Sequence, residues 1–183
     1  MIIKFTGKEA IMRQIKKSLP LRYFAILIMS LFLALQVSSA IAGGYDNALK
    51  NVKGIDVIFN VSNGDPSFAN IVFWAVRNTY QDEAVSTLPE KPKVAVVFHG
   101  PVVKLLSSDR SGFDKKDIAE IDKFQATLRE MKKEGVNLEV CLYAVKVFGL
   151  DPATIMPEVD QVGNGFISVA GYQAQGYAVV TIP

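Results

Sequence analysis

The run Lys93-Val94-Ala95-Val96-Val97-Phe98 decides the fold of this chain, because it is apolar without interruption from its second residue. A half-exposed strand alternates apolar and polar side chains, whereas an unbroken apolar run is typical of a strand buried on both faces of a parallel sheet. The run ends at His99-Gly100-Pro101, where a turn and then a short helix beginning at Pro101 are predicted. We therefore predict a central strand that helices cover on both sides.

Strand and helix patterns alternate on both sides of this run, which predicts an α/β fold with a mostly parallel sheet and helices on both faces. Before it, a strand over Gly54–Val61 is followed by a helix that Asp65 caps and Pro66 begins. After it, an exposed loop at Ser107–Gly112 leads to a helix over Lys115–Glu134. The predicted buried faces are Phe68, Ile71, Val72, Ala75 and Val76 in the first helix, and Ile118, Ile121, Phe124, Leu128 and Met131 in the second.

The segment Asn137–Phe148 has two interpretations from its pattern alone. As a single strand it has 12 residues, more than the usual range of about 3–10. As a strand over Asn137–Val140 followed by a helix that begins near Cys141, it makes a better α/β unit. The elements predicted after it are a helix start at Asp151-Pro152, a short strand in Glu158–Val162, a helix from Phe166 to Gln175 and a final strand over Tyr177–Ile182.

Residues 1–42 predict a secretory signal peptide. Six basic residues and one acidic residue lie in the first 22 positions, an uncharged apolar run of 15 residues follows, and Ala40-Ile41-Ala42 forms an A-x-A cleavage site before Gly43. The apolar run is shorter than the roughly 20 residues that a membrane-spanning helix needs. We therefore favour cleavage over a retained anchor and expect an exported, periplasmic protein, whose translation starts at Met1 or Met12.

The charge of the mature chain excludes a common class of partner. Residues 43–52 are predicted to extend its N-terminus, and residues 53–183 to form its single folded domain. The whole chain has 20 basic and 18 acidic residues; without the signal peptide 14 and 17 remain, a net charge of −3. Binding of nucleic acid needs a basic patch on the domain itself. We therefore expect no nucleic-acid partner, and no membrane association after cleavage.

Composition excludes several kinds of site. The chain has 183 residues, 50% of them hydrophobic, with one cysteine and one histidine. One cysteine forms neither an internal disulfide nor a Cys-x-x-Cys redox pair, and with one histidine it does not supply the ligands of the usual zinc sites. No phosphate-binding loop, nucleophile elbow or dinucleotide fingerprint occurs. We predict neither a metal site nor a cofactor.

Two residues with useful chemistry, Cys141 and His99, both follow predicted strands. Because ligands of open parallel sheets bind outside the carboxyl ends of the strands, these two are the candidate catalytic residues. If Cys141 begins a helix, the N–H groups and dipole of that helix favour its thiolate form. The alternative is an inert core cysteine between Val140 and Leu142, with His99 only hydrogen-bonding a loop carbonyl.

The candidates for substrate binding also follow His99, and they are Gly100, Pro101 and Lys104. Gly100 and Pro101 either shape a pocket or only shape the turn itself. Lys104 is placed to attract an anion, as is Arg110, although a solvated surface charge is the alternative for each of them. These assignments depend on the same edge of the sheet being the functional one.

The segments Val94–Leu106, Gly135–Cys141 and Gly165–Val180 resemble DsrE/DsrF-like proteins in their order and spacing, and the resemblance extends over Lys53–Pro183. It implies a three-layer α/β/α sandwich with a mostly parallel five-stranded sheet, assembled into trimers or hexamers. It also implies that the ambiguous segment is a strand followed by a helix. The best-understood members pass sulfur as a persulfide on a cysteine whose position Cys141 matches.

The leading hypothesis that follows is an exported sulfur carrier in which Cys141 accepts sulfane sulfur and hands it to a partner. His99 would be a proton acceptor or an orienting group, and the sulfur donor or acceptor would be a protein or a small sulfane-sulfur compound. A second hypothesis is a non-catalytic, oligomeric binding or scaffold protein with a buried, inert Cys141. A third is a redox role through pairing of Cys141 between chains.

Overall fold

The structure, a computed structural model, describes residues 44–183, and the predicted signal peptide lies outside them. The strands form one sheet in which all neighbours are parallel, so the predicted five-stranded sheet is confirmed. The strands are β1 Asp56–Val61, β2 Lys93–Phe98, β3 Asn137–Cys141, β4 Asp160–Val162 and β5 Ala178–Ile182. Their order across the sheet is β4-β3-β2-β1-β5, which makes β2 the central strand.

Five α-helices and two short 3-10 helices connect these strands within the described residues. None of these helices is long and apolar enough to cross a membrane. The α-helices are α1 Pro66–Gln81, α2 Glu83–Ser86, α3 Lys115–Lys133, α4 Leu142–Val147 and α5 Gly165–Ala174, and the 3-10 helices are Gly100–Leu106 and Pro152–Thr154.

Aspartate side chains cap the starts of α1 and α3, and one of them is the predicted cap Asp65. The Asp65 carboxylate accepts a hydrogen bond of 2.6 Å from the N–H of Phe68, and Pro66 occupies the first turn of α1. The Asp114 carboxylate accepts a hydrogen bond of 2.8 Å from the N–H of Asp117 at the start of α3. Each cap satisfies an N–H group that has no partner inside the helix.

The central strand β2 is buried as predicted, because every residue after Lys93 is at most 5% exposed. Its side chains alternate between two apolar layers. Val94, Val96 and Phe98 contact the core beneath α1, α3 and α4, while Ala95 and Val97 contact residues of α5. We call these two sides the helix-rich face and the α5 face. The molecule is therefore the three-layer α/β/α sandwich that was predicted.

The buried side of α1 differs from the prediction. Among the residues predicted to be buried, Ile71 is 69% and Phe68 is 39% exposed, and Ala75 is exposed as well. Phe73 is buried instead, because it packs against two aromatic core residues, with ring centroids 5.7 Å from Phe98 and 4.8 Å from Phe124. Apolar residues surround most of this helix, so periodicity allowed two faces and the aromatic contacts decide between them. The residues of α1 that are fully buried are Pro66, Ala69, Phe73 and Val76.

The loop predicted to be exposed at Ser107–Gly112 begins with a buried residue. Ser107 is 0% exposed and forms an isolated antiparallel bridge with Ile155. Its hydroxyl lies 2.7 Å from the hydroxyl of Thr154 and accepts a hydrogen bond from the N–H of Asp109. These hydrogen bonds satisfy the Ser107 hydroxyl, so the residue can be buried although it is polar. A pattern of apolar residues does not reveal such a position.

The path of the chain creates a switch point at the carboxyl edge of the sheet. From β1 to β4 the strands are added in one direction, and α1, α3 and α4 lie on the helix-rich face. The connection from β4 to β5 runs in the opposite direction, and right-handed crossovers then require α5 to lie on the other face. The chain therefore leaves β3 and β4 toward opposite faces. Open parallel sheets bind ligands in the crevice at such a point.

Candidate functional site

Cys141 is the last residue of β3 and immediately precedes the first turn of α4. The structure thus resolves the segment Asn137–Phe148 as a strand followed by a helix, as the resemblance implied. Cys141 consequently lies at the carboxyl edge of the sheet, on the strand beside the switch point. Its side chain makes no hydrogen bond to the N–H groups at the start of α4.

His99 lies at the same level as Cys141 on the neighbouring strand. Phe98 of β2 pairs with Val140 of β3, and each candidate residue follows directly. Both backbones are extended, with φ −144° and ψ 173° at His99 and φ −72° and ψ 108° at Cys141. Side chains therefore continue to alternate, and both point to the α5 face. The fold brings the two predicted catalytic residues to one edge and one face.

The thiol of Cys141 is buried in the described chain. The residue is 6% exposed, and Gly165, the first residue of α5, covers it. A Cβ atom added to Gly165 would lie 3.0 Å from Cβ and 3.7 Å from Sγ of Cys141, and 3.1 Å from Cγ1 of Val97. A residue without a side chain is therefore what allows α5 to approach so closely. The sequence left open whether this cysteine is exposed, and in this chain α5 closes over it.

His99 has a polar partner on one side and an aromatic ring on the other. Its Nε2 lies 2.7 Å from Oδ1 of Asn60, and the Phe166 ring contacts it edge to face with centroids 5.3 Å apart. Burial lowers the pKa of His99 below its usual 6.5. The imidazole is therefore neutral near pH 7, and a neutral imidazole has one nitrogen free to accept a proton.

Sequence reasoning missed three residues of this site, Asn60, Gly165 and Phe166. Asn60 had a visible signal, because it is the polar interruption in the apolar run of β1. Gly165 directly precedes the predicted helix, where a glycine is typical of a turn, and Phe166 is predicted only as the start of that helix. Their role depends on α5 crossing back over the sheet to reach β2 and β3, and local pattern does not reveal that path.

A second polar contact holds α5 on the sheet near the site. The Tyr172 hydroxyl donates a hydrogen bond of 2.9 Å to Oε1 of Glu139, two residues before Cys141 on β3. Burial, reinforced by this carboxylate, raises the pKa of Tyr172 to about 12. Oε2 of Glu139 is buried without a hydrogen-bond partner. The tyrosine therefore supplies the partner of a carboxylate that α5 covers.

The residues predicted to bind substrate lie in two places. Gly100 has φ +63° and Pro101 packs on Gly64, so both shape the turn after His99. Lys104 lies further along the 3-10 helix, with its ammonium 5.1 Å from the ring centroid of Phe148 and beside a small cleft of about 190 Å³. The described contacts of Lys104 are thus with Phe148 and not with Cys141.

Other features of the described surface lie away from this edge. Trp74, which is 71% exposed on α1, stands between two clefts of about 400 and 580 Å³ on the outer side of that helix. Among residues 44–183, no group of three or more His, Cys, Asp or Glu side chains is placed to hold a metal ion. Within the part described, Cys141 and His99 are the candidate reactive side chains at the carboxyl edge.

Comparison with known proteins identifies the family. The model of the DsrE/DsrF-like family matches residues 55–182, so the chain belongs to this family, as its sequence predicted. Among curated proteins, none matches the chain. The match covers every strand of the sheet and includes both Cys141 and His99.

Solved structures with the same fold have low sequence identity to this chain. The protein MTH1491 of unknown function from Methanobacterium thermoautotrophicum has a TM-score of 0.51 at 22% identity, covering 69% of this chain and 98% of that one. The protein BT1422 of unknown function from Bacteroides thetaiotaomicron has a TM-score of 0.50 at 16% sequence identity. The match covers 69% of this chain and 94% of that one. The YchN protein of E. coli has a TM-score of 0.46 at 18% sequence identity, and the match covers 70% of this chain and 100% of that one. The first two support the fold alone.

Proposed function

We propose that this member of the DsrE/DsrF-like family is an exported sulfur carrier, which holds sulfane sulfur as a persulfide on Cys141 and passes it to a partner. The observation that carries the proposal is the placement of Cys141 and His99 at one level of adjacent strands, on one face, beside the switch point. A thiol needs a proton acceptor to become a nucleophile. A neutral histidine at the same edge is such an acceptor.

The proposed reaction needs no oxidant. The Cys141 thiol gives its proton to His99, and the thiolate attacks the outer sulfur of thiosulfate or a polysulfide. A new sulfur–sulfur bond forms on Cys141, the old one breaks, and sulfite or the shortened polysulfide leaves with its electron pair. A nucleophile of the acceptor then attacks the outer sulfur of the persulfide, and the Cys141 thiolate is the leaving group.

Access to the thiol requires a movement at the start of α5. Gly165 covers Cys141, and the preceding loop is joined to α4 by a hydrogen bond of 3.3 Å from the N–H of Tyr143 to the carbonyl of Gly163. We propose that the donor reaches the sulfur when this loop and the first turn of α5 move away. The rest of the sheet edge stays in place, because Cys141 and His99 continue strands that are paired with their neighbours.

The burial of Cys141 favours a second candidate, an oligomeric binding or scaffold protein in which the cysteine only fills space. A cysteine that is 6% exposed behaves as a small apolar residue in most folded proteins. Under this candidate, replacing Cys141 by Ser or Ala changes stability and leaves the biological function intact. The two candidates therefore differ in whether the thiol reacts in the folded chain.

Mass spectrometry of the mature protein distinguishes the candidates. The folded protein is treated with thiosulfate or polysulfide, and Cys141→Ser is the matched control because the chain has one cysteine. The carrier predicts a gain of one sulfur atom on Cys141 and none in the variant. Absence of the adduct, together with alkylation of Cys141 only under conditions that unfold the whole domain, would establish the scaffold candidate.

Export and assembly are further parts of the proposal. N-terminal sequencing of protein from the periplasm should begin at Gly43 if the signal peptide is cleaved as proposed. A trimer or hexamer is supported by exposed apolar side chains on α5, where Phe166 is 66% and Ile167 is 71% exposed. Sedimentation measures the assembly, and a non-reducing gel tests the third hypothesis, a disulfide of Cys141 between chains.

A further inference from the structure

We propose that Asn60 is a positioning residue for His99, which fixes the imidazole in the tautomer that carries its proton on Nε2. The proposal rests on the proposed function, since it assigns the nitrogen that accepts the proton of the thiol. Oδ1 of Asn60 lies 2.7 Å from Nε2 of His99. In the orientation that the Asn60 amide has in the structure, its carbonyl oxygen faces the ring. A carbonyl oxygen only accepts hydrogen bonds, so Nε2 donates. Nδ1 then keeps its lone pair and is the basic nitrogen.

The position of Asn60 in the sheet explains how it reaches the histidine. Asn60 pairs with Val97 on β2, and His99 lies two residues further along that strand on the same face. Such a diagonal pair of neighbours is within reach of a long or aromatic side chain. The fold therefore holds the amide and the imidazole on adjacent strands.

The surroundings of Asn60 make the contact with His99 more than incidental. On the α5 face its neighbours Ile58, Ala95 and Val97 are all fully buried apolar residues, and Asn60 itself is half-buried. An amide in such apolar surroundings destabilises a fold when it lacks a hydrogen-bond partner. The bond to His99 satisfies the carbonyl of that amide, and in return the amide dictates which nitrogen of the ring is protonated.

The other titratable groups around His99 do not assign its tautomer. The pKa of His99 is lowered by burial and not by a neighbouring charge. The titratable side chains on the elements packed around it are Asp56 on β1, Lys93 on β2, Glu139 and Cys141 on β3, Tyr172 on α5 and Lys104 on the 3-10 helix. Of these, Glu139 and Tyr172 are hydrogen-bonded to each other, and Lys93 forms an ion pair with Asp56.

Nitrogen-15 NMR tests the assignment directly, because His99 is the single histidine of the chain. Above its pKa, the wild-type ring should show one protonated nitrogen, Nε2, and one unprotonated nitrogen, Nδ1. Asn60→Ala should give a mixture of the two tautomers. Thr181→Ala is the matched control, because Thr181 pairs with Asn60 from β5 and is exposed; it should leave the wild-type pattern unchanged.

A second variant keeps the test decisive if Asn60→Ala does not fold. Asn60→Asp retains an acceptor at the same place, so the Nε2–H tautomer should persist. The added carboxylate should raise the pKa of His99 by about one unit or more. A wild-type ring that is protonated on Nδ1 or mixed, or an Asn60→Asp ring with an unchanged pKa, would overturn the proposal.

The same variants separate this inference from the proposed function. The tautomer is measured in Cys141→Ser as well as in the wild type, so it does not depend on sulfur chemistry. If Cys141 takes up sulfur, the His99-dependent rise of the reaction rate should shift to higher pH in Asn60→Asp, because a stronger base gives up its proton later. Sulfur uptake with no such shift overturns the role of Asn60 alone, whereas a fixed tautomer without any sulfur uptake overturns the carrier.

Discussion

The substitution Gly165→Ala tests directly whether Gly165 covers the Cys141 thiol. The added Cβ would lie 3.0 Å from Cβ of Cys141 and 3.1 Å from Cγ1 of Val97, which is tighter than ordinary contact. Val97 belongs to the central strand and is 0% exposed, so it cannot move aside. The start of α5 must therefore shift away from the sheet by a few tenths of an ångström.

The expected change in the free energy of unfolding is the difference between two opposing effects. Forcing an extra carbon into a packed site destabilises a protein by about 1–3 kcal/mol, whereas replacing glycine by alanine in a helix stabilises it by about 0.5–1 kcal/mol. The net effect is a loss of about 1 kcal/mol of stability, and it destabilises the closed position of α5 relative to the open one. Because about 1 kcal/mol corresponds to a factor of about five in an equilibrium constant, Cys141 should react about fivefold faster.

The assay is the rate of alkylation of Cys141 by iodoacetamide in the folded protein, measured beside the free energy of unfolding in urea. Gly171→Ala is the matched control, because Gly171 lies in the same helix and a Cβ there would meet nothing within 4 Å. It should gain about 0.5–1 kcal/mol of stability and leave the alkylation rate unchanged. Equal alkylation rates in the two variants would refute the reasoning that Gly165 covers the thiol.

Three further predictions concern packing and charge. Tyr172→Phe removes the hydrogen-bond partner of the Glu139 carboxylate and should lower the free energy of unfolding by about 1–3 kcal/mol; an unchanged urea midpoint would contradict this. Phe73→Ala should lower the free energy of unfolding by about 3–5 kcal/mol. Ile71→Ala, on the exposed side of α1, should change it by less than about 0.5 kcal/mol. Because burial lowers the pKa of His99, the unfolded chain takes up the proton first as pH falls below about 6.5. Stability should therefore decrease from about pH 7 to about pH 5 in the wild type, and less so in His99→Gln.

The sequence was sufficient for most elements of the fold because they have a local physical signature. The exceptions are α2, which was not predicted, and Asn137–Phe148, whose pattern allowed two interpretations. The apolar run of β2 requires burial on both faces, and Asp65 with Pro66 marks a helix start through its own hydrogen bond and ring geometry. The buried side of α1 was not predictable in the same way. Its aromatic residue Phe73 is selected by Phe98 and Phe124, which lie far along the chain.

The candidate site was predictable only in part, for the same reason. Cys141 and His99 each end a strand, and parallel strands bring their carboxyl ends to one edge. The cover over Cys141 depends on α5 returning across the sheet, which follows from the strand order and not from the residues of α5. Gly165 looks like any glycine in a turn until that path is known.

The way in which α5 is held suggests how a buried thiol remains available. Gly165 is the one buried residue of this helix, whereas Phe166 is 66% and Ile167 is 71% exposed. Segments with few buried contacts open at a lower free energy than the whole domain. The first turn of α5 can therefore move while β2 and β3 remain paired. If Cys141 reacts through such an opening, its alkylation rate should depend only weakly on urea below the unfolding transition, whereas a rate that rises in step with global unfolding would mean that the cysteine belongs to the core.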